Sequence, residues 1–165
     1  MAEIPTFELR RDPWLVSTDP ARLDLTLIHH WLSTASYWAE GVKFDVIERG
    51  FRHSCPFGVY GADDALAGWA RVVTDYASFA YLADVFVLPD RRGHGVGKLL
   101  VEAMLAHPAL QGLRRWLLMT RDGHGLYRQY GFTPLTNPQN AMELRDPDIY
   151  RQAHDGAGRP SGRPA

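Results

Sequence analysis

Between Ala21 and about Leu32 the apolar residues Leu23, Leu27, Ile28 and Trp31 return at intervals of three and four, the spacing that one face of an amphipathic helix requires. Asp19 and Pro20 sit where such a helix would start. A second helix is predicted from about Lys43 to His53, with Val46, Ile47 and Phe51 facing inward, and "STASYWAEG" between the two reads as loop. Ahead of them, Phe7 to Arg10 reads as a short strand, and the prolines and turn residues of "DPWLVSTDP" read as a break in regular structure. After His53 the period changes. "FGVYGADDALAGWARVVTD" alternates apolar and small residues on either side of a "GADD" turn, which predicts a β-hairpin. "FAYLADVFVLP" is apolar on both faces, as an interior strand is.

A glycine-rich segment follows, then a helix to about Ala106 and a strand in "RRWLLMT". A short helix is predicted in "GHGLYRQYGFTPL", ended by Gly131, with one strand beginning at Phe132 and a last one in "AMELR". Strands and helices alternating in this way predict an α/β or α+β sandwich on a mixed sheet. Residues 1–150 read as one domain, since 165 residues suit a single core. Residues 151–165 lose periodicity and gain Gly, Pro and Arg, which predicts a flexible tail.

Composition narrows the functional classes. A net charge of -1 does not suit a general nucleic-acid binder, whose affinity rests on surplus Lys and Arg. No stretch approaches the roughly 20 apolar residues that span a bilayer, and the first residues lack the pattern of a secretory signal. One cysteine, Cys55, permits neither an internal disulfide nor a cysteine-based zinc site. The expectation is a cytoplasmic protein without metal, nucleic-acid or membrane partners.

The candidate chemistry lies in "RRGHGVGKLL", residues 91–100, between a buried strand and a helix. A sharp strand-to-helix turn leaves the helix's first N–H groups without backbone partners, and the helix dipole adds to their attraction for anions. Gly93, Gly95 and Gly97 keep side chains away from that backbone, and Arg91, Arg92 and Lys98 bring positive charge. A pyrophosphate is the expected ligand. Spacing then decides among nucleotide sites. A Walker loop needs glycine at 92 and Ser or Thr at 99, where Arg92 and Leu99 stand. A dinucleotide fingerprint fails at Lys98 or at Leu100.

R-x-x-G-x-G does fit, as Arg92, Gly93, His94, Gly95, Val96 and Gly97. With it, "DVFVLPDRRGHGVGKLLVEAML" resembles the acetyl-CoA-binding motif of the GCN5-related N-acetyltransferases (GNAT). "GLYRQYGFTPL" resembles the same family's later motif, a tyrosine-bearing helix ending in Gly-Phe at the start of a strand. The likeness covers roughly residues 57 to 135. It implies a mostly antiparallel mixed sheet flanked by helices, whose splayed strand pair, about 80–88 and 113–120, takes the pantetheine arm of acetyl-CoA. By that mapping Phe86, Val87 and Leu88 line the arm, and the amides from Arg92 through Gly93, His94, Gly95, Val96 and Gly97 to Lys98 hold the diphosphate. The implied reaction is direct transfer of an acetyl or related acyl group to a primary amine of a small molecule or peptide. Tyr127 matches the tyrosine that serves as general acid at the sulfur. Asp84 is the candidate base or water-relayed proton acceptor, with His29, His30, Tyr37 and Glu40 as alternatives. Thr120 stands where relatives often have asparagine. Many relatives are dimers, so a homodimer stays open.

Blander readings stand beside these. The chain could be an idle CoA-binding module of the same fold. Tyr127 could be a core aromatic and Asp84 a structural hydrogen-bond acceptor. His29 and His30, diverging by about 100° on a helix, read as one packed and one exposed residue, and Cys55 as a small buried hydrophobe. "SYWAE" reads as part of a substrate mouth.

Overall fold

In the computed structural model, which describes residues 4–151, the chain begins with a tight hairpin. Strand β1 (Glu8–Arg11) pairs antiparallel with β2 (Trp14–Ser17) around Asp12 and Pro13. β2 corrects the expectation of a break in "DPWLVSTDP". The prolines only bound it; β2 is paired on both edges, and Trp14, Leu15, Val16 and Ser17 are all buried, Trp14 and Val16 in the cluster under α3. Asp19 caps a single 3-10 turn at Pro20–Arg22. Helix α1 (Leu25–Ala35) starts later than predicted, where the Asp24 carboxylate accepts the Leu27 N–H at 2.9 Å. α2 (Phe44–Arg52) falls where its apolar spacing places it.

The hairpin of β3 (Cys55–Tyr60) and β4 (Leu66–Thr74) is followed by β5 (Phe79–Val87), α3 (Val96–Ala106), β6 (Arg115–Leu118) and α4 (His124–Arg128). The six strands lie in sequence order, antiparallel except for the parallel pair β5–β6. That pair is joined by the crossover through α3, as parallel neighbours require. No helix among the described residues is long and apolar enough to cross a membrane.

Two apolar clusters lie on opposite faces of this sheet. On one, α3 buries Val96, Leu99, Leu100 and Met104 against Val16, Phe57, Val59, Ala70, Val72 and Leu82. On the other, α1 and α2 bury Ile28, Leu32, Ile47 and Phe51 against Trp69 and Phe86, whose rings stack at 4.9 Å. Each fully buried aliphatic side chain contributes about 1.5–3 kcal/mol relative to exposure.

Two predicted strands are not formed. Phe132–Thr136 and Ala141–Arg145 form no strand, and none pairs with them among the described residues. A strand is a strand only through its neighbour, and the six paired strands leave these segments outside the ladder. The expected tail from 152 on lies outside the described residues.

Candidate active site

The site is built where β5 outruns β6. The ladder between them holds from Phe79–Arg115 to Leu82–Leu118 and then stops, while β5 continues through Ala83 to Val87 paired only with β4. A wedge opens between the two strands, and the β5 edge facing it carries backbone groups without a strand partner.

The same stretch holds a β-bulge. Trp69 faces Phe86 and Arg71 faces Ala83, so two β5 residues, Asp84 and Val85, oppose Ala70 alone. Asp84 takes the left-handed conformation, φ +53°, that such an insertion needs. The bulge also breaks the alternation. Ala80 and Leu82 pack on the α3 side, and beyond the extra residue so do Val85 and Val87, while Phe86 enters the α1 cluster. The Phe86 ring therefore packs between Trp69 and Trp31 in the α1 cluster. Leu88 closes the strand by donating its N–H to Ala67 C=O at 2.9 Å.

At the head of the wedge the glycine segment turns into α3. Gly93 and Gly95 have φ of +78° and +80°, and a Cβ at either would meet nothing within 4 Å, so the space around both is open. Gly95 is the N-cap of α3 and offers no side-chain cap. The first helical bond runs from Leu99 N–H to Gly95 C=O at 3.0 Å, leaving the N–H groups of Val96, Gly97 and Lys98 ahead of it without helical acceptors. Arg92 turns back, donating from Nε to Val87 C=O at 3.0 Å with its guanidinium 5.2 Å from the centre of the Phe86 ring, and so ties the loop to the end of β5. His94 Nδ1 lies 2.8 Å from Arg92 C=O, and Lys98 is exposed. These are the features that a diphosphate needs: uncapped amides at a helix N-terminus, no side chains in the way and cations close by.

α4 docks on the first turn of α3. Tyr130 O–H is 3.2 Å from Lys98 C=O and 3.0 Å from the Glu102 carboxylate, and Leu126 Cδ2 would lie 3.6 Å from a Cβ on Gly97. Thr120, the departure from the family's asparagine, acts locally. Its hydroxyl oxygen accepts the Gly123 N–H at 2.8 Å and shapes the turn into α4. Tyr127 follows one turn later, buried, its ring edge-on to Phe132. Burial, then the neighbouring Tyr37 and Asp122, push its phenol up to about 12 from an ordinary 10. No hydrogen bond contributes to that shift.

"SYWAE" spans the mouth of the wedge. Trp38 Nε1 donates to Asp84 Oδ1 at 3.1 Å on the β5 side, and the Tyr37 hydroxyl accepts the Arg121 N–H at 3.1 Å on the β6 side. Arg121 also stacks its guanidinium 3.8 Å from the Tyr37 ring centre. Asp84 Oδ2 is paired with Arg71 Nε at 2.5 Å. Arg71 and Arg121 were not singled out from the sequence, whereas Trp38 belongs to the segment read as part of a substrate mouth. A signal existed for Arg71, since an arginine inside the apolar run "WARVV" needs a buried partner.

The remaining candidates separate. His29 is half-buried with Nε2 2.9 Å from Val42 C=O, whereas His30 and Glu40 are exposed and nothing draws them to the wedge. Cys55 lies in β3 within the core, its thiol pushed up to about 11 by burial, an inert setting for a nucleophile.

A sheet whose parallel strand pair parts beside an uncapped helix start is a fold shared with known acetyltransferases. The chain belongs to the acetyltransferase (GNAT) family, whose profile matches residues 25–132. It is similar, at 33% identity over 138 residues (71% of this chain, 77% of the relative), to a Gibberella zeae protein named provisionally as an acetyltransferase. Among solved structures it resembles a provisionally named GNAT-family acetyltransferase from Xanthomonas campestris pv. campestris. That likeness has 50% identity and a TM-score of 0.80, covering 83% of this chain and 96% of that one. A similarly named protein of Deinococcus radiodurans shares the fold at 18% identity and a TM-score of 0.66, with 87% and 96% covered. The family generally uses acetyl-CoA, and the open amides and wedge fit that donor.

Proposed function

We propose that the protein transfers an acetyl group from acetyl-CoA directly to a primary amine of a small molecule or peptide. The observation that carries this reading is Tyr127: a buried phenol that keeps its proton far above neutral pH, on a helix docked against the open amides of α3. When bound, acetyl-CoA supplies a thioester-activated acyl carbon and a sulfur leaving group. The amides from Gly93 to Lys98 would hold the diphosphate, and the edge of β5 from Ala83 to Val87, which lacks a strand partner although Arg92 holds the Val87 C=O, would orient the arm like an added strand. The Tyr127 hydroxyl gives its proton to the departing sulfur. A simple CoA-binding module has no use for such an acid.

Asp84 receives the amine. A carboxylate has about four acceptor positions, and Arg71 and Trp38 occupy one on each oxygen, so others remain for an ammonium or a water that carries its proton away. For Asp84→Asn we expect kcat/KM for the amine to fall by about 100-fold, while KM for acetyl-CoA changes little. A drop in melting temperature with kcat/KM intact would assign the carboxylate to structure alone.

The proposal as a whole is tested by following thiol release from acetyl-CoA with a panel of small amines and amino-terminal peptides. Turnover with at least one amine, with the acetylated product seen by mass spectrometry, is expected. Tight CoA binding with no turnover on any amine would point to the idle module instead.

A further inference from the structure

The Arg71 guanidinium is only partly used by the protein. Its Nε donates to Asp84 Oδ2, and among the described residues no acceptor meets the N–H groups on Nη1 and Nη2. Those groups are not shut in, since the Arg71 side chain is 23% exposed and neither nitrogen is a buried atom without a partner. Gly50, in the last turn of α2, lies beside the group. A Cβ there would stand 3.5 Å from Arg71 Cζ, so the helix comes close enough to hold the fork in place. Next to one another, then, lie a carboxylate with open acceptor positions and a cation with open donors.

Beyond this pair the sheet face is apolar and uncovered. Val72, Leu82 and Leu118 turn towards α3, so alternation turns Val73, Tyr81 and Leu117 the other way. Register sets these three side by side, Val73 opposite Tyr81 and Tyr81 opposite Leu117. None of them belongs to the cluster under α1 and α2. Val73 is exposed, and so is Met119 at the far end of β6. The Tyr81 phenol is pushed up by burial and then by the Asp84 charge, so the row begins within the field of that carboxylate.

Resting on the reading of Asp84 as the residue that receives the amine, we propose that the acceptor is a free α-amino acid with an apolar side chain. Its ammonium meets the open positions of Asp84, and its carboxylate takes the forked bond that Arg71 Nη1 and Nη2 offer. The protein's two charges touch, and those of an α-amino acid sit on one carbon, so both ends are met at once. The side chain lies over Val73, Tyr81 and Leu117. A peptide's amino terminus has a neutral amide where the amino acid has its carboxylate, and a simple amine has neither, so Arg71 selects against both. In the transfer a nitrogen–carbon bond forms as the carbon–sulfur bond breaks. One proton of the ammonium leaves by way of Asp84, and another restores Tyr127 after its own has gone to the sulfur.

Thiol release from acetyl-CoA is measured with phenylalanine, phenylalaninamide and phenethylamine, which share one side chain, and with serine, each rate referred to its fraction of free amine. Phenylalanine is expected to exceed the amide and the amine in kcat/KM by about 100-fold, chiefly through KM, and serine by about 10-fold. Arg71→Gln should bring the first two ratios close to one, and Arg71→Lys, which keeps the charge without the fork, should restore part of them. Because either variant can fail to fold around Asp84, the wild-type ratios decide on their own. Amide, amine or serine turned over as fast as phenylalanine would overturn the amino-acid reading and leave amine acetylation standing, as would a preference that survives in folded Arg71→Gln. No turnover with any amine would overturn both.

Discussion

Replacing Tyr127 by phenylalanine is expected to lower kcat by about 10²–10⁴-fold, the usual contribution of a positioned general acid, with acetyl-CoA affinity unchanged. The ring packs edge-on against Phe132 and its hydroxyl takes part in no hydrogen bond that shifts its titration, so the substitution removes a proton and little else. A fall in kcat and kcat/KM together marks an interaction made in the transition state, and a rise in KM alone would not. The pH profile checks the sign. The acid works while protonated, and burial has moved its ionisation from 10 up to about 12. Wild-type activity should therefore not decline through pH 10 on account of this group. A decline centred near 10 and abolished in Tyr127→Phe would mean that the phenol is in water.

Gly95→Val is expected to weaken acetyl-CoA binding by about 100-fold or more, equivalent to roughly 2.8 kcal/mol. Gly95 holds φ +80° as the N-cap of α3, and a β-branched residue there carries strain of about 1–3 kcal/mol. The protein itself offers no clash, since nothing lies within 4 Å of the new Cβ. The loss comes from the backbone: relaxing that dihedral swings the amides of Val96, Gly97 and Lys98 out of alignment, and the side chain enters the space left for the phosphates. Gly112 separates binding from stability. It too has positive φ, +73°, and open surroundings, but it lies in the turn before β6. Gly112→Val should cost comparable stability and leave acetyl-CoA affinity as it was. Isothermal titration and thermal melts on both variants read the two effects apart.

Much of this was legible in the residues. Periodicity located α1, α2, the β3–β4 hairpin and β5, and the spacing of Arg92, Gly93, Gly95 and Gly97 singled out the turn that leaves the α3 amides open. What escaped depends on neighbours distant in the chain. β2 is a strand because β1 and β3 flank it, although its sequence ends in prolines and turn residues. The segments at 132 and 141–145 have strand composition but pair with no strand among the described residues. Alternation cannot reveal an inserted residue, so the bulge at Asp84 and the switch of faces after Leu82 were invisible. The mouth rests on bonds spanning 46 and 84 residues, Trp38 to Asp84 and Arg121 to Tyr37, for which no local pattern exists. His29 and His30 did separate as helical geometry requires, one packed and one exposed.

The most direct test is a crystal structure of the full chain with acetyl-CoA. The account predicts the diphosphate on the amides of Gly93 to Lys98, the pantetheine arm along Ala83 to Val87, and the thioester sulfur within hydrogen-bonding reach of the Tyr127 hydroxyl. Acetyl-CoA held elsewhere, or a sulfur on the far side of β5 from that phenol, would contradict it.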